Sequence, residues 1–326
     1  MNILFLIDPA IFVSKNINNN TTQEDIEKAL PNDVSATFGG DGLSNQDLAK
    51  FDIVVGYQRG VFERILQQPN SKLKFVQSLS AGVDYYPMAD MAKKHIKLAT
   101  ASGIHAEPIT ETVFGVLLSI VRWIQPAIKN QLKAEWNQPP MTLMTLVGHK
   151  ILIYGTGHIG QRIAEIASAF KMDVVGVNHN GHPVSGFNKT IAMGNIGSDK
   201  DADVIVNALP LTPKTKGIFD KYFFHKFTNH PIFMTIGRGP STVTLDLISA
   251  LQDKTLSAAG IDVTDPEPLP SDSPLWKMDN VVITPHISGF YGYYLRDVMK
   301  IFYKNLASFS KDGHVEINQV NLESGY

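Results

Sequence analysis

The stretch Lys150-Ile-Leu-Ile-Tyr-Gly155-Thr-Gly157-His-Ile-Gly160-Gln-Arg-Ile163 decides the fold class. Its four apolar residues in a row read as a buried strand, its three glycines as a tight turn, and the run from Ile159 onward as a helix. Glycines at this spacing arise in many loops. Entry by a strand and exit by a helix give them meaning, because that arrangement aims backbone N–H groups and a helix N-terminus at a pyrophosphate. Contacts to such a ligand are expected from Gly155, Thr156, Gly157, His158, Ile159 and Gly160.

Downstream of the glycines the chain alternates a helix at 159–170 with apolar strands at 173–177, 204–207, 232–235, 258–262 and 281–284. This is the pattern of a doubly wound parallel sheet with helices on both faces, a Rossmann domain. Upstream, strand-like runs at 3–7, 53–55 and 74–78 alternate with helical segments at 22–30 and 60–67, which gives a smaller α/β domain of flavodoxin-like type. A small-residue segment at 98–103 leads into an apolar helix from about 107 to 124, so the boundary is set near residue 100. The expected fold is therefore α/β, with two doubly wound parallel-sheet domains covering 1–100 and 101–290. The segment 293–310 reads as a further helix, 16–22 as a polar loop, and 137–145 as a stretch that its paired prolines keep from forming a regular helix.

A length of 326 residues agrees with two domains. With 18% charged residues, a net charge of −2 and no basic tract, the chain carries no footprint for nucleic acid. The absence of cysteine excludes disulfides, thiolate zinc sites and cysteine nucleophiles, so any metal would need His, Asp or Glu, and it agrees with a reducing cytoplasm as the expected compartment; no metal is expected. Residues 1–8 read as a buried strand in place of a signal peptide, and 112–124 is short of the ~20 residues of a membrane span. No membrane partner is expected.

The end of the strand at 173–177 bears on cofactor choice. A site for NAD usually places Asp or Glu there to accept from the ribose hydroxyls. This chain has Asn178-His179-Asn180-Gly181. With no carboxylate to repel a 2′-phosphate, and with Asn178, His179 and Asn180 able to donate to it, NADP(H) is expected, and NAD(H) with Asn178 on the ribose is the alternative.

Three further segments carry ionisable groups behind strand ends: Ile236-Gly-Arg238-Gly-Pro240, Asp262-Val-Thr-Asp-Pro-Glu267-Pro-Leu-Pro270 and Thr284-Pro-His286-Ile-Ser-Gly289. An arginine fork can grip a carboxylate and its neighbouring carbonyl, and a histidine oriented by a carboxylate can move a proton. The order Arg238, Glu267, His286 and the flanking residues resemble the D-isomer-specific 2-hydroxyacid dehydrogenase family, in its glyoxylate/hydroxypyruvate reductase-like and phosphoglycerate dehydrogenase-related branches.

The resemblance spans nearly the whole chain and implies an oxidoreductase that passes a hydride from NAD(P)H to a 2-keto acid to give the D-2-hydroxy acid. It implies Arg238, Glu267 and His286 as the catalytic set. Ser80, Ala81, Gly82 and Val83 would contact substrate together with Arg238 and His286, and Tyr57 and Arg59 are candidates nearby. Leu209, Pro210, Thr215, Ile236, Arg238, Asp262, His286 and Gly289 would line the nicotinamide side, with Asp262 accepting from the carboxamide. It also implies a substrate domain completed by 291–326, an arm at 137–145, and a homodimer joined through the apolar helix and that arm. Thr235 stands where the family usually has Asn. Glyoxylate, hydroxypyruvate and larger 2-keto acids all stay open as substrates. The alternative is a dinucleotide-sensing binding protein or corepressor on the same fold; the presence of all three catalytic residues favours the enzyme.

Overall fold

The computed structural model describes residues 1–8, 21–139, 142–195 and 199–323. Residues 16–20 of the polar loop and 140–141 of the arm lie outside them. The chain divides into two compact units, Met1–Ile104 with Tyr291–Tyr326, and His105–Phe290.

The first unit carries five parallel strands, β1 (Asn2–Leu6), β2 (Ser35–Phe38), β3 (Ile53–Gly56), β4 (Phe75–Gln77) and β5 (Lys97–Ala99), in the order β2-β1-β3-β4-β5. Strand side chains alternate between faces. Leu4 and Leu6 enter one apolar layer with Val54 and Phe62, whereas Ile3 and Phe5 enter the opposite layer. That second layer is completed by Leu295, Met299, Phe302 and Leu306 of the long helix Tyr294–Asp312, so the chain terminus is part of this unit's core. The helix Gln23–Ala29 starts at Thr22, whose hydroxyl and N–H exchange hydrogen bonds with Asp25 in a capping box.

The second unit carries seven parallel strands: β6 (Lys150–Tyr154), β7 (Asp173–Asn178), β8 (Lys189–Ala192), β9 (Val204–Asn207), β10 (Ile232–Thr235), β11 (Ala258–Ile261) and β12 (Val281–Ile283). Their order is β12-β11-β10-β9-β6-β7-β8. The chain starts at β6, winds outward to β8 and then returns to the other side with β9, so the direction of winding reverses between β6 and β9. Ligands collect outside the carboxyl ends of the strands at such a reversal. Ile151 and Ile153 point into one apolar layer and Leu152 and Tyr154 into the other, which is why this strand reads as an unbroken apolar run.

The apolar helix covers Ala106–Val121 and buries one face, with Ile109, Val113, Phe114, Leu117 and Val121 among its buried residues. It ends because Trp123 takes a left-handed conformation, φ +60°, and a second helix, Ile124–Gln131, leaves at an angle of 73°. Among the described residues no single helix is long and apolar enough to cross a membrane.

Candidate active site

The site residues of the second unit follow the sheet order. His286 lies beyond β12, Asp262 and Glu267 beyond β11, Arg238 beyond β10, Leu209 beyond β9, the glycine turn beyond β6, and Asn178 ends β7. Six neighbouring strand ends thus present, in spatial sequence, an imidazole–carboxylate pair, a guanidinium, a backbone loop, a helix N-terminus and a polar loop.

The three glycines of the turn meet three different demands. Gly155 takes φ +104°, and a side chain there would strike the Ala208 carbonyl. A Cβ on Gly160 would stand 1.8 Å from the Gly155 carbonyl oxygen, so only glycine lets the helix His158–Ala169 sit this close to the strand. Gly157, the N-cap of that helix, has no protein atom within 4 Å of its missing Cβ and supplies no side-chain cap. The N-terminus of the helix is therefore uncapped by any side chain, and the space beside Gly157 is open.

The loop after β7 uses Asn178 internally. Its Oδ1 accepts from Gly181 N at 2.7 Å, its Nδ2 donates to the His182 carbonyl at 2.9 Å, and the side chain is buried. Asn178 therefore shapes the loop, while His179, Asn180 and His182 are exposed on it. His182 Nδ1 lies 2.7 Å from Asn180 Oδ1, so His182 joins the loop's polar face, a place that sequence reasoning gave only to its neighbours. Thr215 is likewise spent on structure. Its hydroxyl donates to the Pro210 carbonyl at 2.7 Å and accepts from Thr212 N at 2.8 Å, which pins the loop after Leu209.

Arg238 is half-buried and follows a buried polar network that the sequence did not advertise. Asn207 Nδ2 donates to Thr235 Oγ1 at 3.1 Å and to Ser241 Oγ at 2.8 Å, and Ser241 Oγ donates to the Arg238 carbonyl at 2.6 Å. Thr235 serves as an acceptor here, so its hydroxyl is sufficient at this strand end. Gly239 then packs so closely that a Cβ would stand 1.8 Å from the Thr264 carbonyl oxygen. The arginine turn is thereby seated on the segment that leads to Glu267. Thr244 Oγ1 donates to the Asp265 carbonyl at 2.6 Å and ties that segment to the next helix.

His286 Nδ1 lies 2.6 Å from Glu267 Oε1. With Nδ1 facing a carboxylate, the proton on that nitrogen is fixed and Nε2 is left to the solvent side. The backbone of His286 is left-handed, φ +53°, a conformation that costs a non-glycine residue about 1–3 kcal/mol and persists where surrounding bonds enforce it. Those bonds are present: His286 N donates to the Asp262 carbonyl at 2.9 Å, and the buried Asp262 carboxylate accepts from Thr284 Oγ1, Ile287 N, Ser288 N and Ser288 Oγ. Gly289 passes against the ring of His105, which would crowd a Cβ at 3.1 Å.

In the first unit, Ser80, Ala81, Gly82 and Val83 follow β4. Ser80 Oγ donates to the Gly82 carbonyl at 2.6 Å and lies 2.8 Å from the Tyr85 hydroxyl, while Val83 is buried. Tyr57 packs on Tyr85 and Tyr86, with ring centroids 5.0 and 4.6 Å away. Tyr294 donates through its hydroxyl to the Leu79 carbonyl, and burial pushes its phenol far up, so it stays a donor. Arg59 pairs with Glu63 on the surface of its own helix.

The sequence profile of the D-isomer specific 2-hydroxyacid dehydrogenase, NAD binding domain, matches residues 114–288. The chain belongs to this family. Among its relatives, this dehydrogenase is 31% identical to the glyoxylate reductase/hydroxypyruvate reductase of Mus musculus over 252 residues, 75% of this chain and 76% of the relative. The crystal structure of phosphoglycerate dehydrogenase from Lactobacillus plantarum is 39% identical, with a TM-score of 0.57 over 98% of this chain and 100% of that one. A D-isomer specific 2-hydroxyacid dehydrogenase from Xanthobacter autotrophicus, solved with NADPH and MES, is 25% identical, with a TM-score of 0.80 over 100% of this chain and 99% of that one. The residues of the dehydrogenase described here fit a dinucleotide: the open face at Gly157 and the uncapped helix N-terminus behind it form a cradle that a Cβ would fill.

Proposed function

We propose that this dehydrogenase reduces a 2-keto acid to the D-2-hydroxy acid with NAD(P)H. The observation that carries the reading is the 2.6 Å contact of His286 Nδ1 with Glu267 Oε1, on the same sheet edge as Arg238 and the glycine turn. The dinucleotide, when bound, supplies the hydride that reaches the keto carbon. His286 holds a proton at Nε2 and passes it to the carbonyl oxygen, so the C=O becomes a CH–OH. Glu267 keeps the ring oriented and stabilises its charged form. Arg238 binds the substrate carboxylate and draws charge toward the carbonyl oxygen, and the main-chain N–H groups of Ala81, Gly82 and Val83 are proposed as further carboxylate donors, while the Ser80 N–H is taken by Ser78 Oγ at 3.1 Å and shapes the loop. Residues 1–104 with 291–326 would thus serve as the substrate domain, and 105–290 as the cofactor domain. A panel of 2-keto acids, from glyoxylate and hydroxypyruvate to branched and aromatic members, assayed with NADH and NADPH in parallel, tests the reading; a panel without turnover by either cofactor rejects it.

The cofactor is NADP(H) by preference. Support comes from the acid-free loop at 178–182 with His179, Asn180 and His182 exposed on it, and from the NADPH held by the Xanthobacter relative. His179→Ala is expected to raise KM for NADPH and leave KM for NADH in place. Asn178→Asp should move the preference toward NADH by about 1–2 kcal/mol, through repulsion of the 2′-phosphate and loss of the bond to the His182 carbonyl. The ratio of kcat/KM for the two cofactors reads both effects. A wild-type enzyme that strongly prefers NADH would refute the assignment.

We further propose a cytoplasmic homodimer. Ile124 and Ile128 stand one turn apart on the helix Ile124–Gln131, Leu132 is its C-cap and Trp136 lies beyond it; they are 44%, 52%, 83% and 96% exposed, a group of large apolar side chains that water alone covers poorly. Light scattering at micromolar concentration is expected to give twice the chain mass, and Leu132→Asp is expected to shift the protein toward monomer. A wild-type monomer with full activity would rule out this assembly.

A further inference from the structure

We infer that Tyr85 is a positioning residue for the substrate carboxylate, acting through Ser80 on the Gly82–Val83 peptide. In a trans peptide the carbonyl of one residue and the N–H of the next point in opposite directions, so whatever binds the carbonyl also aims the N–H. Along the loop beyond β4 four carbonyls are bound by donors of the same unit. Leu79 accepts from the Tyr294 hydroxyl, Ser80 from Ala101 N at 3.0 Å, Gly82 from Ser80 Oγ at 2.6 Å and Val83 from Tyr86 N at 3.0 Å. The N–H groups of Ala81 and Val83 are thereby turned to the opposite side, and both are among those assigned above to the substrate carboxylate.

The two N–H groups are aimed by different means. A backbone donor, Ala101 N, fixes the Ser80–Ala81 peptide, whereas a side chain holds the Gly82–Val83 peptide. A hydroxyl has one proton to give. Ser80 Oγ gives its proton to the Gly82 carbonyl, so in its 2.8 Å contact with the Tyr85 hydroxyl it accepts, and Tyr85 donates. The bonds run from Tyr85 O–H to Ser80 Oγ–H to the Gly82 carbonyl, and each donor in such a chain is strengthened by the bond it accepts. Stacking on Tyr86 at 4.9 Å and packing on Tyr57 at 5.0 Å place the Tyr85 ring for this role. Tyr85 is 45% exposed and stands outside the apolar layer that takes up Tyr86, so its hydroxyl, not its burial, is what the loop uses.

The inference rests on the proposed reduction of a 2-keto acid, and the test separates the two. Tyr85→Phe removes the hydroxyl and keeps the stacked ring, Ser80→Ala removes the link, and the double variant removes both. Steady-state kinetics of the full-length enzyme on glyoxylate, hydroxypyruvate and an aromatic 2-keto acid gives KM and kcat. Calorimetry on the protein loaded with NADPH gives Kd for oxamate, a keto-acid isostere that is not reduced. The carboxylate is gripped both before and during hydride transfer, so the loss should fall on KM and on oxamate Kd and leave kcat within about twofold. Tyr85→Phe is expected to raise both constants about 3–5-fold and Ser80→Ala about 5–15-fold. The KM increase should be the same for every keto acid, since all carry the same carboxylate, and Kd for the cofactor should not move. The double variant should be no worse than Ser80→Ala, because Tyr85 acts only through Ser80.

The inference is overturned if Tyr85→Phe leaves KM and oxamate Kd unchanged, if its loss is carried by kcat, or if the two losses multiply in the double variant, which would make the residues independent. It is overturned as well if the Tyr85→Phe loss is confined to keto acids with hydroxylated or aromatic side chains, since Tyr85 would then touch the substrate side chain and not the loop. If the wild-type protein reduced no keto acid yet bound oxamate with the expected dependence on Tyr85 and Ser80, the reduction reading would fall by itself and the role of Tyr85 would stand. A wild-type protein that binds no oxamate rejects that role.

Discussion

His286→Asn is expected to lower kcat for keto-acid reduction by about 10²–10⁴-fold, the range that a positioned proton donor contributes. Asparagine keeps the polarity of the position and tolerates the left-handed backbone that His286 adopts, so the fold of the turn should survive. What disappears is a group that can carry a proton at Nε2 while Nδ1 faces Glu267 at 2.6 Å. The loss should fall on kcat, because hydride arrival at the keto carbon leaves an alkoxide that has no acid to meet it. Glu267→Gln should follow the same pattern with a smaller loss, about tenfold, since an amide can still bond Nδ1 but cannot balance the charge of the imidazolium. Steady-state kinetics on the best keto acid, with the NADPH or NADH Kd measured in parallel, decides the matter. A variant with normal kcat, or one whose whole defect lies in cofactor Kd, would show that His286 is not the proton donor.

Most of the architecture was legible because buried parallel strands are apolar on both faces. The strands at 150–154, 204–207 and 232–235 stand out in the chain for that reason, and they form the centre of the seven-stranded sheet. The strands missed from sequence are β2, β5 and β8, and all three lie at sheet edges. They are short and partly exposed, with Ser35, Lys97 and Lys189 at their starts, so neither apolar continuity nor clean alternation marks them. The apolar run extends to residue 124, but the helix stops at Val121 because Trp123 turns left-handed; the one local sign in the sequence is Pro126, three residues further on, in the first turn of the next helix.

At the site, the residues that carry charge at strand ends could be read, whereas those that hold them could not. Arg238, Glu267 and His286 each follow a strand and stand among glycines or prolines. Asn207 and Ser241 look like ordinary turn residues until β9 and β10 pair and bring them to the Arg238 carbonyl. Asn178 and Thr215 show the converse. Their positions pointed to cofactor, but hydrogen bonds to Gly181, His182, Pro210 and Thr212 depend on how each loop closes, and a linear sequence does not display loop closure.

Arg238→Ala is expected to remove on the order of 3 kcal/mol or more of transition-state stabilisation, a loss of about 10²-fold or greater in kcat/KM. Two effects add at this position: the fork binds the substrate carboxylate in the ground state, so KM should rise, and it stabilises charge that develops on the carbonyl oxygen, so kcat should fall. The backbone around it is held by Ser241 on the Arg238 carbonyl and by the tight approach of Gly239 to Thr264, besides the bond that Arg238 Nη1 donates to the Gly237 carbonyl at 2.9 Å. Alanine should therefore leave the turn, the fold and cofactor affinity in place. Arg238→Lys separates the two contributions. A lysine restores the charge but not the planar two-pronged geometry, so it should recover part of KM and little of kcat. If Arg238→Ala instead retained near-normal kcat/KM across the keto-acid panel, the guanidinium would be an ion-pairing group of the loop, and the carboxylate would have to be held by other donors.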